Sequence, residues 1–317
     1  MKARVLIAES VDENVLEQMQ ATTKSVRFEY KPDLSVAELE LELANYDGLI
    51  VRPKVVTAAA IVNSPNLKLI IRGGAGVNSI ALESAKSFGV AVENTPGLNS
   101  QATAEFAFQA MIRLSCNRQI SRSAELALTG NAGSPEDFMG SELQGKKVGI
   151  IGLGNVGFRL ALMCHAFGMQ VTCYSRSEKV LPFREIRQTN DLNELLKAEN
   201  DIISLHLPLS EQTRNIISAK EFIRMAKGTI LINTARPQLV DVLAFAQALE
   251  NGTLQSYAID GDQDQIQPFI DADKHKLGIC THHIADCTYE AHAAITKQTM
   301  HQAIEFFEKG IEINRVV

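Results

Sequence analysis

Chemistry in this chain concentrates where glycines, an arginine and a histidine follow buried-type strands. The run Val148-Gly149-Ile150-Ile151-Gly152-Leu153-Gly154-Asn155-Val156-Gly157 leads a strand into a G-x-G-x-x-G turn, and a helical pattern follows from Phe158 to Phe167. In that setting Gly152 permits the tight turn, Gly154 lets the backbone approach a pyrophosphate, and Gly157 lets the helix pack on the sheet. The N–H groups at the helix start, from Asn155 and Val156 onward, then meet an anion at the positive end of the helix dipole. The bland alternative is a glycine-rich turn that holds nothing. Arg236 comes just after the buried run Thr229–Asn233, at the strand end where parallel α/β sheets put their ligands. His283 supplies an imidazole, whose ordinary pKa of ~6.5 suits reversible proton transfer at neutral pH.

The second strand of a dinucleotide fold ordinarily ends, about 20 residues after the glycines, in an acid that binds ribose hydroxyls. Here it ends Tyr174-Ser175-Arg176-Ser177. No carboxylate stands there to repel a 2′-phosphate, and Ser175, Arg176 and Ser177 offer it donors. The cofactor expected is NAD or NADP, leaning toward NADP. The alternative leaves Arg176 as a solvated surface cation with NAD bound. Cys280, His282, His283 and Cys287 are all zinc-ligand types. Their spacing is too compressed for a paired-knuckle site, and no metal is expected.

These groups need a scaffold. A chain of 317 residues suggests about two domains at roughly 150 residues each. Hydrophobic residues at 45% and charged residues at 21% match an ordinary globular protein. The net charge of -6 argues against nucleic acid or an anionic membrane as partner. No run approaches the ~20 apolar residues of a membrane span. The apolar run Val5–Ala8 is too short for a signal-peptide core, and the five scattered cysteines read as reduced thiols. Both point to the cytoplasm.

Strands are expected at 4–8, 48–51, 67–71 and 90–92, then at 148–151, 171–174, 202–205, 229–233 and 256–259, with helical segments between. Such alternation implies parallel sheets covered on both faces. Ser35-Val36-Ala37-Glu38 has capping-box spacing. A helical pattern spans 102–128 and ends at a Gly/Pro-containing break, and the tail is helical from Tyr289 to about Lys309.

Further motifs accompany the glycine turn. They are Val51-Arg52, Arg72-Gly73-Gly74-Ala75-Gly76-Val77-Asn78, Asn94-Thr95-Pro96-Gly97-Leu98-Asn99-Ser100, Ala104-Glu105, His206-Leu207-Pro208, Asn233-Thr234-Ala235-Arg236, Asp260 and His283-Ile284. In this order, over essentially the whole chain, they resemble the D-isomer-specific 2-hydroxyacid dehydrogenases, most of all short D-3-phosphoglycerate dehydrogenases without a regulatory domain. The resemblance implies an α/β fold of two doubly wound parallel-sheet domains. A Rossmann nucleotide-binding domain (100–286) would be inserted into a flavodoxin-like substrate domain (1–99 and 287–317), leaving no room for an appended regulatory domain.

The same resemblance implies hydride transfer between a nicotinamide cofactor and C2 of a small D-2-hydroxy or 2-oxo acid. Arg236 would hold the substrate's carboxylate and carbonyl oxygen, and His283 would be the acid/base. Ala75, Leu207, Pro208, Thr234, Ala235 and Asp260 would lie against the cofactor. Gly73 and Gly74 would turn backbone N–H groups to the substrate carboxylate, with Asn78 supporting their loop. Arg52 and Lys54 would meet the substrate's far end, although Arg52 is also readable as an ion pair between domains. A homodimer is expected through the 102–128 region, on the reasoning that this region lacks a sheet of its own to cover.

Two departures stand out. Pro237 follows Arg236 where many relatives have glycine, and it restricts Arg236 to extended conformations. The family also pairs its histidine with a glutamate shortly after the Asp260 strand. Counting on from Asp260 lands on Gln265, and counting back from Pro268 lands on Gln267. Gln265 therefore enters the catalytic set in place of the glutamate, with Asp262 or Asp264 as alternatives. A glutamine orients the ring without favouring its charged form, so a reductase pH optimum displaced toward acid is expected. The acidic segment Gly133-Ser134-Pro135-Glu136-Asp137 weakens the assignment of a phosphorylated substrate. Three readings follow: a D-3-phosphoglycerate dehydrogenase-like enzyme, an NADPH-dependent hydroxypyruvate or glyoxylate reductase, and a non-catalytic NAD(H)-binding regulator. Loss of the glutamate suits the third, and retained Arg236 and His283 oppose it.

Overall fold

The computed structural model describes residues 2–116, 120–131 and 133–317, the side chains of 120–122 excepted. The chain divides into two compact units, one running to Asn99 and resuming at Cys287–Val317, the other Ser100–Asp286.

The first unit holds strands β1 (Ala3–Ile7), β2 (Val26–Tyr30), β3 (Gly48–Val51), β4 (Leu69–Arg72) and β5 (Ala91–Asn94), all parallel, in the order β2-β1-β3-β4-β5. This is the flavodoxin-like order, whose switch point lies between β1 and β3. Alternate side chains serve opposite faces. Val5, Ile7, Leu69 and Ile71 join a core with Met300, Ala303 and Ile304 from the long helix Tyr289–Lys309. Leu6, Leu49 and Ile70 join the opposite core with Leu39, Leu43 and Ile61. Helix starts follow their capping residues. Asp12 accepts from Val15 N–H at 3.0 Å, and Ser35 and Glu38 make the reciprocal capping box.

In the second unit lie β6 (Lys147–Ile151), β7 (Gln170–Tyr174), β8 (Arg187–Thr189), β9 (Ile202–Leu205), β10 (Thr229–Asn233), β11 (Leu254–Gly261) and β12 (Gly278–His282). They form one parallel sheet in the order β12-β11-β10-β9-β6-β7-β8. Reading outward from β6, this is the doubly wound Rossmann order with an added edge strand, and the switch point lies between β6 and β9. Strands β2, β8 and β12 were not expected from the sequence. Each is a sheet edge, and β8 is three residues of polar sequence.

The 102–128 region differs from the expectation. Helix Ser100–Met111 packs Ala104, Ala107, Phe108 and Met111 into the same core as Val148, Ile150 and Val171. Its apolar face thus covers the seven-stranded sheet, and the argument that the region lacks a sheet fails for this half. Residues 112–116 form a π-helical turn, 117–119 lie outside the described residues, and a helix resumes at Ile120–Leu128. Among the described residues no helix is long and apolar enough to cross a membrane.

The C-terminal segment covers the free edge of β5. Val92 N–H donates to Val317 O at 3.2 Å, and Val316 N–H to Val92 O at 2.7 Å. Beneath it Glu93 is fully buried. Its carboxylate accepts from Gln302 Nε2 and from Ile313 N–H, each at 2.9 Å. Burial outweighs those two donors and pushes the carboxyl up from 4.5 to about 7. Between those values the folded chain keeps a proton that the unfolded chain releases. Stability therefore falls as pH rises through that window, and the full penalty is present above it. Glu93→Gln should remove this slope. Thermal unfolding should show the native chain losing stability relative to the variant between about pH 5 and about pH 8; an equal difference at both values would refute the assignment.

Candidate active site

The glycine turn is built by close approach. Gly152 has φ +108°, and a Cβ there would lie 2.6 Å from His206 O. A Cβ on Gly157 would overlap Gly152 O, whereas one on Gly154 would meet nothing within 4 Å. Gly154 caps helix Asn155–Ala166 without any side-chain cap bond. The helix start, with the Asn155, Val156 and Gly157 N–H groups, is thus left open above Gly154, as a pyrophosphate requires. His206 anchors the turn from below. Its N–H donates to Ile151 O at 2.8 Å, and Nε2 lies 2.8 Å from Ser204 Oγ. Burial pushes its imidazole down to about 3, so the ring is neutral at working pH.

Beside the turn opens a cavity of about 360 Å³, whose walls include Gly154, Ser175, Arg176, Ser177, Leu207 and Pro208. The sequence reading missed Lys179, which also lines it. Gln188 braces the segment carrying these residues: its Nε2 donates to Ser177 O at 3.0 Å, and its Oε1 accepts from Lys179 N–H at 3.2 Å. Arg176 Nη1 donates to Gln212 Oε1 at 3.3 Å. The open glycine cradle and this cavity fit a dinucleotide.

Strands β10, β11 and β12 are neighbours, and each delivers polar groups at or just past its carboxyl end. After β10, buried Asn233 ties the turn: its Oδ1 accepts from Ala235 N–H at 3.1 Å, and its Nδ2 donates to Arg236 O at 2.8 Å. Arg236 is half-buried and extended, with φ -148° and ψ 128°, the conformation its following proline demands. The Thr234 hydroxyl is buried without a hydrogen bond.

Near the end of β11, Asp260 is 4% exposed and takes three donors from the segment around His283. Thr281 Oγ1 (2.6 Å) and Ile284 N–H (2.9 Å) reach Oδ1, and Ala285 N–H (3.0 Å) reaches Oδ2. Asp260 was assigned to the cofactor. In the structure it fixes the histidine loop, with two donors on Oδ1 and one on Oδ2.

After β12, His283 sits in the left-handed region at φ +53°, a conformation costly for a non-glycine residue and held only by its surroundings. Its Nδ1 lies 2.9 Å from Asp262 Oδ1. Gln265 does not meet the ring in this way. Its Nε2 donates to the other oxygen of Asp262 at 3.0 Å. The assignment of Gln265 as direct partner is therefore corrected: the group beside the imidazole is Asp262. Gln267 is exposed and donates to Asp271.

In the other unit, the loop after β4 also differs from expectation. Gly73 N–H donates to Val51 O at 2.7 Å, and Gly74 N–H to Thr95 Oγ1 at 2.6 Å. Neither is available to a substrate. The N–H groups of Ala75, Gly76 and Val77 make no hydrogen bond among the described residues. Asn78 makes no bond that supports the loop; Asn94 Nδ2 does, donating to Ala75 O at 2.8 Å. Lys54 Nζ donates to Pro32 O at 2.9 Å. The side chain of Arg52 lies along Gly73, where a Cβ would come 2.9 Å from its Cγ. Arg72 ends β4 in register with Val51 and Asn94, and its buried guanidinium donates to Gly73 O and fills the space a Cβ on Gly74 would need.

Pro237 and Gly261 are coupled. A side chain at 261 would overlap Pro237 Cγ and lie 3.2 Å from Ile266 Cγ2. The proline beside Arg236 is accommodated because β11 ends in glycine. Gly261→Ala should destabilise the chain by about 1–3 kcal/mol, and adding Pro237→Gly should recover much of it. Denaturant unfolding of both variants checks this; additive losses would show no coupling.

A family model described as "D-isomer specific 2-hydroxyacid dehydrogenase, NAD binding domain" matches residues 110–285. The chain is 34% identical over 297 residues to the D-3-phosphoglycerate dehydrogenase of Archaeoglobus fulgidus, covering 91% of this chain and 54% of that protein. It thus spans about half the length of that relative. With the hydroxypyruvate reductase of Thermotoga maritima it shares 36% identity, covering 82% of this chain and 87% of the relative. Among solved structures, the D-lactate dehydrogenase of Aquifex aeolicus complexed with NAD and lactic acid is 26% identical, with a TM-score of 0.82 and 99% of each chain covered. Sequence motifs, two parallel sheets and these likenesses agree: the chain belongs to the D-isomer specific 2-hydroxyacid dehydrogenases.

Proposed function

We propose that the chain transfers a hydride between a nicotinamide cofactor and C2 of a small D-2-hydroxy or 2-oxo acid. The observation that carries this reading is the delivery of Arg236, Asp262 and His283 from the carboxyl ends of three adjacent strands. When bound, the nicotinamide supplies or accepts the hydride. The guanidinium fork of Arg236 holds the acid's carboxylate and polarises the carbonyl at C2. His283, oriented by Asp262 at Nδ1, gives a proton to the carbonyl oxygen in reduction and takes it back in oxidation.

NADP is the cofactor this reading favours. Arg176 lies in the cavity with Ser175, Ser177 and Lys179, a donor set that matches a 2′-phosphate. Arg176→Ala should raise the KM for NADPH at least about tenfold, the loss of roughly 1.4 kcal/mol, and leave that for NADH nearly unchanged. Equal effects on both cofactors would refute the preference.

The first substrate class is that of the phosphoglycerate dehydrogenases. One observation favours an unphosphorylated substrate instead: Lys54, expected at the substrate's far end, is engaged by Pro32 O. Cofactor consumption with phosphohydroxypyruvate, hydroxypyruvate and glyoxylate, each with NADH and NADPH, decides between them. Turnover of the first alone supports the dehydrogenase reading; turnover of the other two supports the reductase. No turnover of any pair would refute the enzyme reading and leave a nucleotide-binding regulator. The homodimer also belongs to this proposal, with the 88%-exposed Leu128 on helix Ile120–Leu128 offered to a second copy. Analytical ultracentrifugation should find the native chain dimeric and Leu128→Glu shifted toward monomer.

A further inference from the structure

We infer that Asp262 has replaced the family glutamate as the carboxylate that positions the acid/base histidine, and that Gln265, at the glutamate's own position, now aligns Asp262. The inference deepens the proposed reaction and rests on it for the role of His283.

Three observations carry it. Asp262 is the N-cap of helix Gln263–Ala272, yet its side chain makes no cap bond. An aspartate there ordinarily accepts from the first turn, worth about 1 kcal/mol. Here its two oxygens are turned elsewhere, Oδ1 to His283 Nδ1 at 2.9 Å and Oδ2 to Gln265 Nε2 at 3.0 Å. Second, the helical period puts 265 on the same side as 262 and turns 264 away. Asp264 is exposed accordingly, so of the three candidates only Asp262 can be both met by the ring and braced by residue 265. Third, Gln265 cannot act as the anion itself. Its amide instead gives the carboxylate a donor, which fixes the Asp262 rotamer and points the second oxygen at the ring.

The titratable groups on the segments that carry this pair are Asp262 and Asp264 at the start of the helix, Asp260 at the end of β11, and His282, Asp286 and Cys287 in chain order around His283. Arg236 follows β10. Asp260 is committed to Thr281, Ile284 and Ala285. The relocation moves the carboxylate about one helical turn toward the strand end without changing the pair's chemistry.

The test follows the His283 ring directly, by nitrogen-resolved NMR of the purified full chain without substrate, alongside kcat/KM. Asp262→Asn, which keeps shape and capping ability, should alter the Nδ1 and Nε2 signals that report which ring nitrogen carries the proton and lower kcat/KM at least about tenfold. Asp264→Asn should change neither. The exchange variant Asp262→Asn with Gln265→Glu restores a carboxylate at 265 beside a donor at 262, and should return both readouts most of the way. Unaltered ring-nitrogen signals in Asp262→Asn, or an exchange variant no better than Asp262→Asn alone, would overturn the inference. If the signals change as stated while no oxo acid is turned over, the pair stands and the proposed reaction falls.

Discussion

The carboxylate of Asp260 holds the most consequential set of hydrogen bonds in the second unit. One side chain, 4% exposed, gathers a hydroxyl and two backbone N–H groups from residues 281–285. A buried charge is tolerated only when its lone pairs are met, and here the segment that meets them is the one carrying His283. The positive φ of His283 follows: the chain must turn sharply for Thr281 on one side and Ile284 and Ala285 on the other to reach the same two oxygens. Strain at the histidine and satisfaction of Asp260 are two sides of one arrangement. The imidazole is consequently aimed by a buried anchor rather than by its own loop.

Around that anchor the departures from family pattern form compensated pairs. Pro237 needs the space that Gly261 leaves. The glutamine at 265 is matched by an aspartate at 262, one helical turn away and on the same side. Both pairs lie at or just past the carboxyl ends of β10 and β11. Strand interiors here are buried on both faces, so a change there must be absorbed by close-packed neighbours. Past the strand ends a substitution meets one or two partners, and a second substitution can answer it.

The sequence made the interior of both sheets legible and left their margins obscure. Runs such as Ile202–Leu205 and Thr229–Asn233 lie wholly inside, and their continuous apolar character is unambiguous. Strands β2, β8 and β12 are edges with one unpaired side and partial exposure, so composition does not mark them. The same boundary divides the site. The glycine turn was readable because Gly152 and Gly157 have steric reasons in the fold and Gly154 leaves the helix start open, all visible as motif spacing. The fates of the Gly73 and Gly74 N–H groups were not readable, because they depend on Val51 and Thr95, residues 22 and 21 positions away. Gln265 was readable as an altered position, but nothing in the string of Asp and Gln residues says which side chain turns to His283; helix phase and an empty cap decide that.

Charge reinforces the point that local arrangement governs this chain. A net charge of -6 gives no general attraction for an anionic cofactor or acid, and at physiological ionic strength fields fade over about 8 Å. Anion recognition must then come from groups within a few ångströms of the ligand. The candidates are of three kinds: an uncapped helix start at Gly154, cations set at strand ends such as Arg72 and Arg236, and loop N–H groups released from internal bonding at 75–77. Each is held by buried structure, Arg72 beneath its own loop and Arg236 by the Asn233 clamp. Preorganised donors of this kind keep their strength because they need not be recruited from water. His206 shows the complementary rule. A ring placed beside the glycine turn, where no charge is wanted, is kept neutral by desolvation and is held by Ser204.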